Sequence, residues 1–400
     1  MRAHILPGAA GGMKQRTGHI DLYVFLSVLA LMLFSVGVVY SASVSISGMR
    51  HDGDINYLFR NHSIRVIMGV GALFVGMFVD YHVYRHVSKY LLLIGIALLA
   101  YTLVGGTVVK GAQRWVSFGP INFQPSEFAK FALVMHLAVL LAAKQKYITD
   151  FKDGFLPLLV WIIAVVGLVF LQPNFSTGSI ILAISFMVLF VGRVRIKHLV
   201  AVAAAGIPIV MVYAVSATYR WNRIIAHFTD AGAASAGNYQ IEQAVIGLGN
   251  GGLFGVGMGM SKQRELFLPE SYTDFIFAIV GEEYGFIGGM FIIALFAIIM
   301  VRGMKIAKRA TDDLGRYLAV GITCTITVYA IVNAMVTTGL LPTTGLPMPL
   351  LSYGGTTIIF TAYALGILIN ISMYTRIRPR EINHQVQEEP AGMRVGEMYQ

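Results

Sequence analysis

Charge is scarce in this chain. Of its 400 residues only 12% are Asp, Glu, Lys or Arg, whereas 56% are hydrophobic and the mean hydropathy is +0.70. A soluble domain carries about a quarter charged residues, so a water-soluble globular fold is excluded and a polytopic membrane protein is implied. Cysteine is nearly absent. The single Cys324 lies in an apolar run, which excludes an internal disulfide and a cysteine-based metal site. The ten histidines are scattered, with no H-E-x-x-H or similar ligand spacing. Acidic residues are outnumbered, 20 against 30 Lys and Arg, for a net charge of +10. The basic residues nevertheless fall in short clusters between apolar runs. That pattern sets membrane topology rather than a nucleic-acid surface, and no nucleic-acid partner is expected.

What is present in quantity is long apolar segments. A bilayer core about 30 Å thick needs about 20 apolar residues per helix. Ten segments qualify, at 20–42, 64–80, 88–106, 127–144, 154–171, 175–192, 198–216, 275–302, 316–340 and 353–375. The sequence therefore predicts an all-α polytopic membrane protein of about ten transmembrane helices. A large extracytoplasmic loop, 217–274, separates helices seven and eight. The first segment is too long and too poorly flanked for a cleaved signal peptide. Gln172-Pro173-Asn174 alone separates segments five and six, which predicts a tight helical hairpin or one re-entrant feature. With the N-terminus inside, the inner segments hold 20 of the 30 Lys and Arg, among them Arg85, Arg193, Arg302 and Arg316. Both termini are thus expected in the cytoplasm. The chain divides into a cytoplasmic segment 1–19, a membrane domain 20–375 and a polar tail 376–400. The tail contains Pro379 and Pro390 and is expected to be disordered.

The outer segments carry the chemistry-bearing residues. Leu268-Pro-Glu-Ser-Tyr-Thr-Asp-Phe-Ile-Phe277 places Glu270 and Asp274 where a transmembrane helix is about to begin. Ionisable groups at a membrane boundary are costly to desolvate and are functional candidates by default. The loop 217–274 is too long for a structureless connection, so short interfacial helices are expected, with Tyr219, Trp221, Tyr239 and Phe267 at headgroup level. Within it, Gly247-Leu-Gly-Asn-Gly-Gly252 matches G-x-G-x-x-G, but a dinucleotide site needs a preceding strand. A glycine-rich turn passing close to a neighbour is the plainer reading, and backbone N–H groups cradling a phosphate the other.

Val109-Lys-Gly-Ala-Gln-Arg-Trp-Val116 precedes Phe123-Gln-Pro-Ser-Glu-Phe-Ala-Lys130. Pro125 and Ser126 mark a helix start, and Glu127 and Lys130 share a helix face. They read either as a mutually neutralising pair or as the charged wall of a cavity with Arg114 and Trp115 beside it. Between helices nine and ten, the uncharged segment 338–355 has three prolines and four glycines. Irregular backbone at membrane depth persists only when buried in protein or lining a cavity. The segment reads either as a proline-braced turn or as a cavity wall offering Ser352 and Tyr353. Glu282 and Glu283 lie two turns into helix eight, and one of them is expected to meet a cation from helix four. Asn333 is expected to hydrogen-bond between helices.

Arg114, Glu127, Lys130, Glu270 and Asp274, with Lys262 and Arg264 nearby, are the groups that could converge outside. Carboxylates beside cations suit an amphiphilic substrate carrying phosphate and a hydroxyl to be activated. Six ordered motifs then resemble SEDS proteins (shape, elongation, division and sporulation). They are Gly-Ala-Gln-Arg-Trp at 111–115, Gln-Pro-Ser-Glu-Phe-Ala-Lys at 124–130, Gln-Pro at 172–173, Gly-Gly-Leu-Phe-Gly at 251–255, Leu-Pro-Glu-x-x-Thr-Asp-Phe-Ile-Phe at 268–277 and Pro-Leu-Leu-Ser-Tyr-Gly-Gly at 349–355. The resemblance covers about residues 20–375. It implies a peptidoglycan glycosyltransferase that polymerises lipid II in the bacterial cytoplasmic membrane. The implied partners are a class B penicillin-binding transpeptidase and the membrane proteins of the divisome.

By motif, Asp274 is similar to the family's proposed catalytic acidic residue and would act as general base on the acceptor 4-hydroxyl, displacing undecaprenyl pyrophosphate with inversion. Arg114, Trp115, Glu127, Lys130, Glu270, Lys262, Ser352 and Tyr353 would bind substrate. No cofactor is certain. The resemblance leaves room for a divalent cation, Mg or Mn, although no ligand set is visible. Two positions depart from the family pattern: Asn174 stands where many relatives have Asp, and Tyr272 replaces a common His. Lys262-Gln-Arg-Glu-Leu-Phe-Leu-Pro269 resembles the FtsW-like division branch and favours a septal role, whereas Thr344-Gly-Leu-Pro347 is closer to the RodA-like elongation branch. The competing classes are a lipid II flippase, which ten helices and proline-broken segments also suit, and a division scaffold.

Overall fold

A computed structural model describes residues 19–109, 112–118, 121–216, 221, 225 and 236–375. Each of the ten expected apolar segments falls on a helix. They are α1 (Leu22–Arg50), α2 (Tyr57–Phe78), α3 (Tyr84–Gly105), α4 (Pro125–Lys144), α5 (Leu156–Leu171), α6 (Phe175–Val191) and α7 (Ile196–Val215). After α8 (Ala236–Gly251) come α9 (Ile276–Arg309), α10 (Asp313–Thr337) and α11 (Thr357–Ser372). Eight described helices are long and apolar enough to cross a membrane, while α6 and α11 are shorter apolar helices of 17 and 16 residues. The α5–α6 hairpin turns at Gln172–Asn174 as expected. The terminal segments 1–18 and 376–400 and most of 217–235, including Tyr219, lie outside the described residues.

Burial ranks the helices. About 72% of the apolar window of α4 and 67% of that of α10 is buried, against 6% for α7. The charged start of α4 is therefore at the centre of the bundle, and α7 lies at its edge. Lipid gives helices little hydrophobic reason to associate, so small residues permit the close approaches that do hold them. A Cβ on Gly76 would strike the Tyr363 carbonyl, and one on Gly366 the Leu73 carbonyl, so α2 and α11 pack backbone to backbone. Gly95 meets Ala129 in the same way between α3 and α4.

Two features depart from the sequence reading. The first is a small antiparallel sheet, β1 (Thr107–Val109), β2 (Ala112–Phe118) and β3 (Ile121–Phe123), in a chain otherwise read as all-α. The second is the glycine-rich stretch 247–252 in the loop between α7 and α9. Residues 247–251 belong to α8, and a Cβ on Gly251 would collide with the Gly281 carbonyl. Gly247-Leu-Gly-Asn-Gly makes the expected close approach to a neighbour, but as helix rather than as a turn, and the turn begins at Gly252 with φ 52°. The stretch is a helix end that small residues let press against the second turn of α9.

The chain after α8 runs back along the outside of α1 and α9, with Phe254, Met258 and Met260 exposed. A Cβ on Gly37, in the middle of α1, would meet Met258 at 3.5 Å. Backbone at that depth needs partners, and a break in α9 supplies them. Gly285 adopts φ 68°, ψ −165°, a conformation suited to glycine. The interruption lets Val256 N–H and Gly257 N–H donate to the Glu282 and Glu283 carbonyls, at 2.9 and 3.1 Å. Phe286 N–H donates in turn to the Gly252 carbonyl at 2.9 Å.

The two ends of α1 carry different chemistry. At the first, the Asp21 carboxylate caps the helix and accepts from Arg302 Nε and Nη2 at 2.9 and 2.7 Å. Asp312, between α9 and α10, accepts from the Tyr81 hydroxyl at 2.8 Å and from Arg85 at 2.7 Å. At the other end, Arg50 reaches the Tyr272 hydroxyl at 3.4 Å and Ser271 donates to the Ala42 carbonyl at 3.3 Å. A helix of 29 residues spans about 43 Å, enough to separate a basic end from the segment bearing Asp274 by a whole bilayer.

Candidate functional site

Asp274 sits half-buried two residues before α9. Its backbone carbonyl accepts from Asn333 Nδ2 at 2.7 Å, and the same amide donates to the Leu346 carbonyl at 2.8 Å. One buried side chain on α10 thus fixes both the carboxylate-bearing segment and the proline-rich segment. The Asp274 carboxylate faces that second segment: a Cβ on Gly345 would lie 3.6 Å from Oδ2. Glu270 holds the turn before it. Its carbonyl accepts from Thr273 and Phe275 N–H at 3.1 and 3.2 Å, and its Oε2 accepts from the Thr273 hydroxyl at 2.9 Å. Glu270 itself has φ 62°, a strained conformation for a non-glycine residue of the kind that clusters at functional sites.

Tyr353 joins this group through Tyr272. The Tyr353 N–H donates to the Tyr272 carbonyl at 2.9 Å, and the two rings meet edge-on at 5.5 Å. Burial pushes the Tyr272 phenol up to about 12. Glu270 beside it adds to the rise and Arg50 opposes it. Tyr272 is therefore a neutral hydroxyl at physiological pH. Ser352 is 2% exposed, and its Oγ accepts from Met348 N–H at 2.8 Å, so it closes the local turn.

Glu127 and Lys130 form a buried ion pair at 2.9 Å, with side chains 4% and 3% exposed. The sequence explains the local geometry. Pro125 opens α4, Glu127 lies in the first turn where the helix dipole favours a carboxylate, and Lys130 follows one turn on. Lys130 Nζ also lies 3.9 Å from the centroid of Tyr329 on α10. Tyr329 and Asn333 are four apart, so they share a face of α10. The ion pair and the Asp274 segment accordingly sit about one helical turn apart along that face, roughly 6 Å.

The remaining expected site residues are distributed around this centre. Trp115 reaches the end of the proline-rich segment, its Cζ3 lying 3.7 Å from a Cβ on Gly355. The Arg114 guanidinium donates to the carbonyls of Gln172, at 3.2 Å, and Pro173, which pins the α5–α6 turn to β2. Lys262 is exposed and belongs to a second cluster around Glu282.

That second cluster corrects an expectation. Neither Glu282 nor Glu283 meets a cation from α4, because Lys130 is engaged by Glu127. Glu282 accepts instead from the Ser261 hydroxyl and from the N–H groups of Lys262 and Gln263, both at 3.2 Å. Glu283 accepts from the Ser41 hydroxyl and from Gly259 N–H at 3.1 Å. The pair anchors segment 259–263 to α9 and α1. Among the described residues, no group of three or more His, Cys, Asp or Glu is arranged to hold a metal ion.

Arg50, His62, Arg65 and Tyr329 also belong to the site, and the sequence reading passed over them. For His62 and Arg65 a signal was available, since both fall in or beside an apolar segment where ionisable residues are functional candidates.

Comparison with known proteins gives a consistent result. The family model described as "Cell cycle protein", covering FtsW, RodA and SpoVE, matches residues 21–377. A Trichlorobacter lovleyi protein named "Probable peptidoglycan glycosyltransferase FtsW" is 38% identical over 367 residues, covering 91% of this chain and 96% of that protein. Stage V sporulation protein E of Bacillus subtilis is 38% identical over 357 residues, covering 88% and 97%. Among solved structures, one from a study of polymerization and crosslinking by a peptidoglycan synthase complex superposes with a TM-score of 0.74 at 26% identity, covering 89% of this chain and 98% of that one. The rod shape determining protein RodA of Thermus thermophilus gives 0.66 at 25% identity, covering 89% and 97%.

Proposed function

The chain belongs to the family of FtsW, RodA and SpoVE, and from that premise we propose that it is a peptidoglycan glycosyltransferase. It polymerises lipid II at the outer face of the cytoplasmic membrane, with Asp274 as its base. The observation that carries the residue assignment is the setting of Asp274. A half-buried carboxylate at a helix start faces an irregular, uncharged segment, and both segments are tied to α10 by Asn333.

In this reaction the acceptor 4-hydroxyl gives its proton to the Asp274 carboxylate as its oxygen attacks the anomeric carbon of the donor. The bond from that carbon to the diphosphate oxygen breaks, and undecaprenyl diphosphate leaves with the electron pair, inverting the centre. Diphosphate is already a good leaving group, so cations and dipoles near it supply what a second acid would otherwise provide. The Glu127–Lys130 pair is internally neutral and forms a rigid polar wall one turn away along α10. Arg114 acts through the α5–α6 turn it holds.

The finer placement follows the relatives. FtsW-named proteins at 38% and 37% identity support a septal role in division. The match to a complex that couples polymerization to crosslinking supports a class B penicillin-binding transpeptidase as partner. The basic cluster of Arg85 and Arg302 at the first end of α1 supports cytoplasmic termini. A flippase reading draws on the break of α9 at Gly285, since discontinuous helices are common in transporters. Incubating the purified chain and its transpeptidase with labelled lipid II and penicillin separates the two. Glycan polymer is expected, and a complex that moves lipid II across vesicles without making polymer would refute the glycosyltransferase reading.

A further inference from the structure

Beside Ser63 Oγ, one turn of α2 carries His62 Nδ1 and Arg65 Nη1, buried polar atoms that like it have no hydrogen-bond partner among the described residues. The two residues are three apart and share a helix face. Ser35 donates its hydroxyl hydrogen to the Met32 carbonyl at 2.6 Å, so its oxygen accepts from His62 Nε2–H at 3.0 Å. The Nδ1 of the neutral ring then presents a lone pair. Both side chains address one aromatic ring. The Arg65 guanidinium carbon lies 4.7 Å from the centroid of Tyr353, and the His62 ring stacks on Tyr353 at 5.9 Å. Tyr353 in turn contacts Tyr272, two residues before Asp274. A single aromatic ring separates Arg65 from the Asp274 segment.

Arg65 takes part in no ion pair among the described residues. It lies about 12 Å along α2 from Tyr57, well inside the depth of one leaflet. An arginine there without a carboxylate is costly unless it faces water or an anionic ligand. Of the other cations at the site, Lys130 is engaged by Glu127 and Arg114 by two carbonyls, while the exposed Arg50 reaches the Tyr272 hydroxyl.

We propose that Arg65 is a ligand for the diphosphate of a polyprenyl-linked substrate, with the Tyr353 ring backing its guanidinium plane and His62 Nδ1 accepting from a hydroxyl beside it. The planar fork of arginine matches phosphate oxygens in a bidentate manner that a lysine cannot reproduce. Arg50, whose Nη1 reaches the Tyr272 hydroxyl, stands at the exposed mouth of the same group. The site rests on the glycosyltransferase reading for the identity of its ligand, but its diphosphate chemistry can be tested without turnover.

The test measures binding of undecaprenyl diphosphate, undecaprenol and phosphatidylglycerol to the detergent-purified chain with its transpeptidase, in wild type and Arg65→Gln. Arg65→Gln is expected to weaken the diphosphate lipid roughly tenfold or more, as loss of charge-assisted hydrogen bonds does, and to leave undecaprenol unchanged. Unchanged diphosphate binding overturns the proposal. So does an equal loss for undecaprenol, and so does a loss confined to phosphatidylglycerol, which would mark a bulk-phospholipid contact. Should Arg65→Gln not fold, Arg65→Lys carries the same test, with a several-fold loss expected for the diphosphate lipid alone. If wild type polymerises, a fall in kcat assigns the leaving diphosphate of the donor and a rise in KM that of the acceptor. If wild type binds through Arg65 but makes no polymer, the diphosphate site stands and the glycosyltransferase reading falls.

Discussion

The buried Glu127–Lys130 pair makes the sharpest energetic prediction. The two charges are 2.9 Å apart, almost fully shielded from solvent, and at the centre of the bundle. Removing one partner strands the other charge, which costs about 3–5 kcal/mol, whereas replacing both by neutral groups of similar size is close to neutral or stabilising. Lys130→Met should therefore destabilise strongly. It strands the Glu127 carboxylate and removes the cation over Tyr329. Glu127→Gln should destabilise by a comparable amount. The double variant should recover most of the loss, so the double-mutant cycle should give a coupling of about 5 kcal/mol or more, since the two single costs sum to about 6–10 kcal/mol. SDS titration of helical content in mixed micelles measures all four proteins. Polymerisation should not recover with stability, because the charged wall near the cavity is gone. A fall of roughly a hundredfold is expected. If Lys130→Met costs less than about 1 kcal/mol, or if the double variant is as unstable as the sum of the singles, the pair is not shielded in the way described.

Asn333→Leu removes the amide that holds the Asp274 and Leu346 carbonyls, leaving two buried acceptors unpaired at about 1–3 kcal/mol each. It should lower kcat by roughly a hundredfold while lipid II still binds, which a comparison of turnover with binding would show. Gly251→Val places side-chain atoms against the Gly281 carbonyl and should cost about 1–3 kcal/mol by the same SDS titration. The Tyr272 phenol is pushed up to about 12, chiefly by burial. Its contribution to stability should be fully present below the ordinary tyrosine value near 10 and be lost as pH rises toward 12. Ultraviolet titration of wild type minus Tyr272→Phe should isolate one tyrosine ionising near pH 12.

The helices were legible because twenty-residue apolar runs have few alternatives in a membrane chain. Asp274, Glu270 and the Glu127–Lys130 spacing were legible because charge is rare here and each ionisable group stands out. The sheet was missed although its signals exist. Val108, Val109, Trp115 and Val116 flank Lys110-Gly111, and Gly119-Pro120 follows, a hairpin pattern that the search for long apolar runs ignored. The course of residues 252–263 beside α1 and α9 was not legible. It depends on a break in α9 that only Gly285 hints at, within an otherwise continuous apolar pattern. The partners of Glu282 and Glu283 escape the sequence for the same reason: they come from that segment and from Ser41 of α1, not from α4. Asn333 does not hydrogen-bond between helices as expected: it ties α10 to the Asp274 and Leu346 carbonyls, which lie in segments with no helical period to reveal them.

The most direct test of the central claim compares wild type with Asp274→Asn in glycan polymerisation of labelled lipid II, each purified with the transpeptidase and assayed in penicillin to silence crosslinking. Asparagine keeps the shape of the side chain and removes its basicity. The account predicts polymer from wild type and none from a variant that folds and binds its partner normally. A variant that polymerises at the wild-type rate would contradict it and move the search for the base to Glu270 or Glu127.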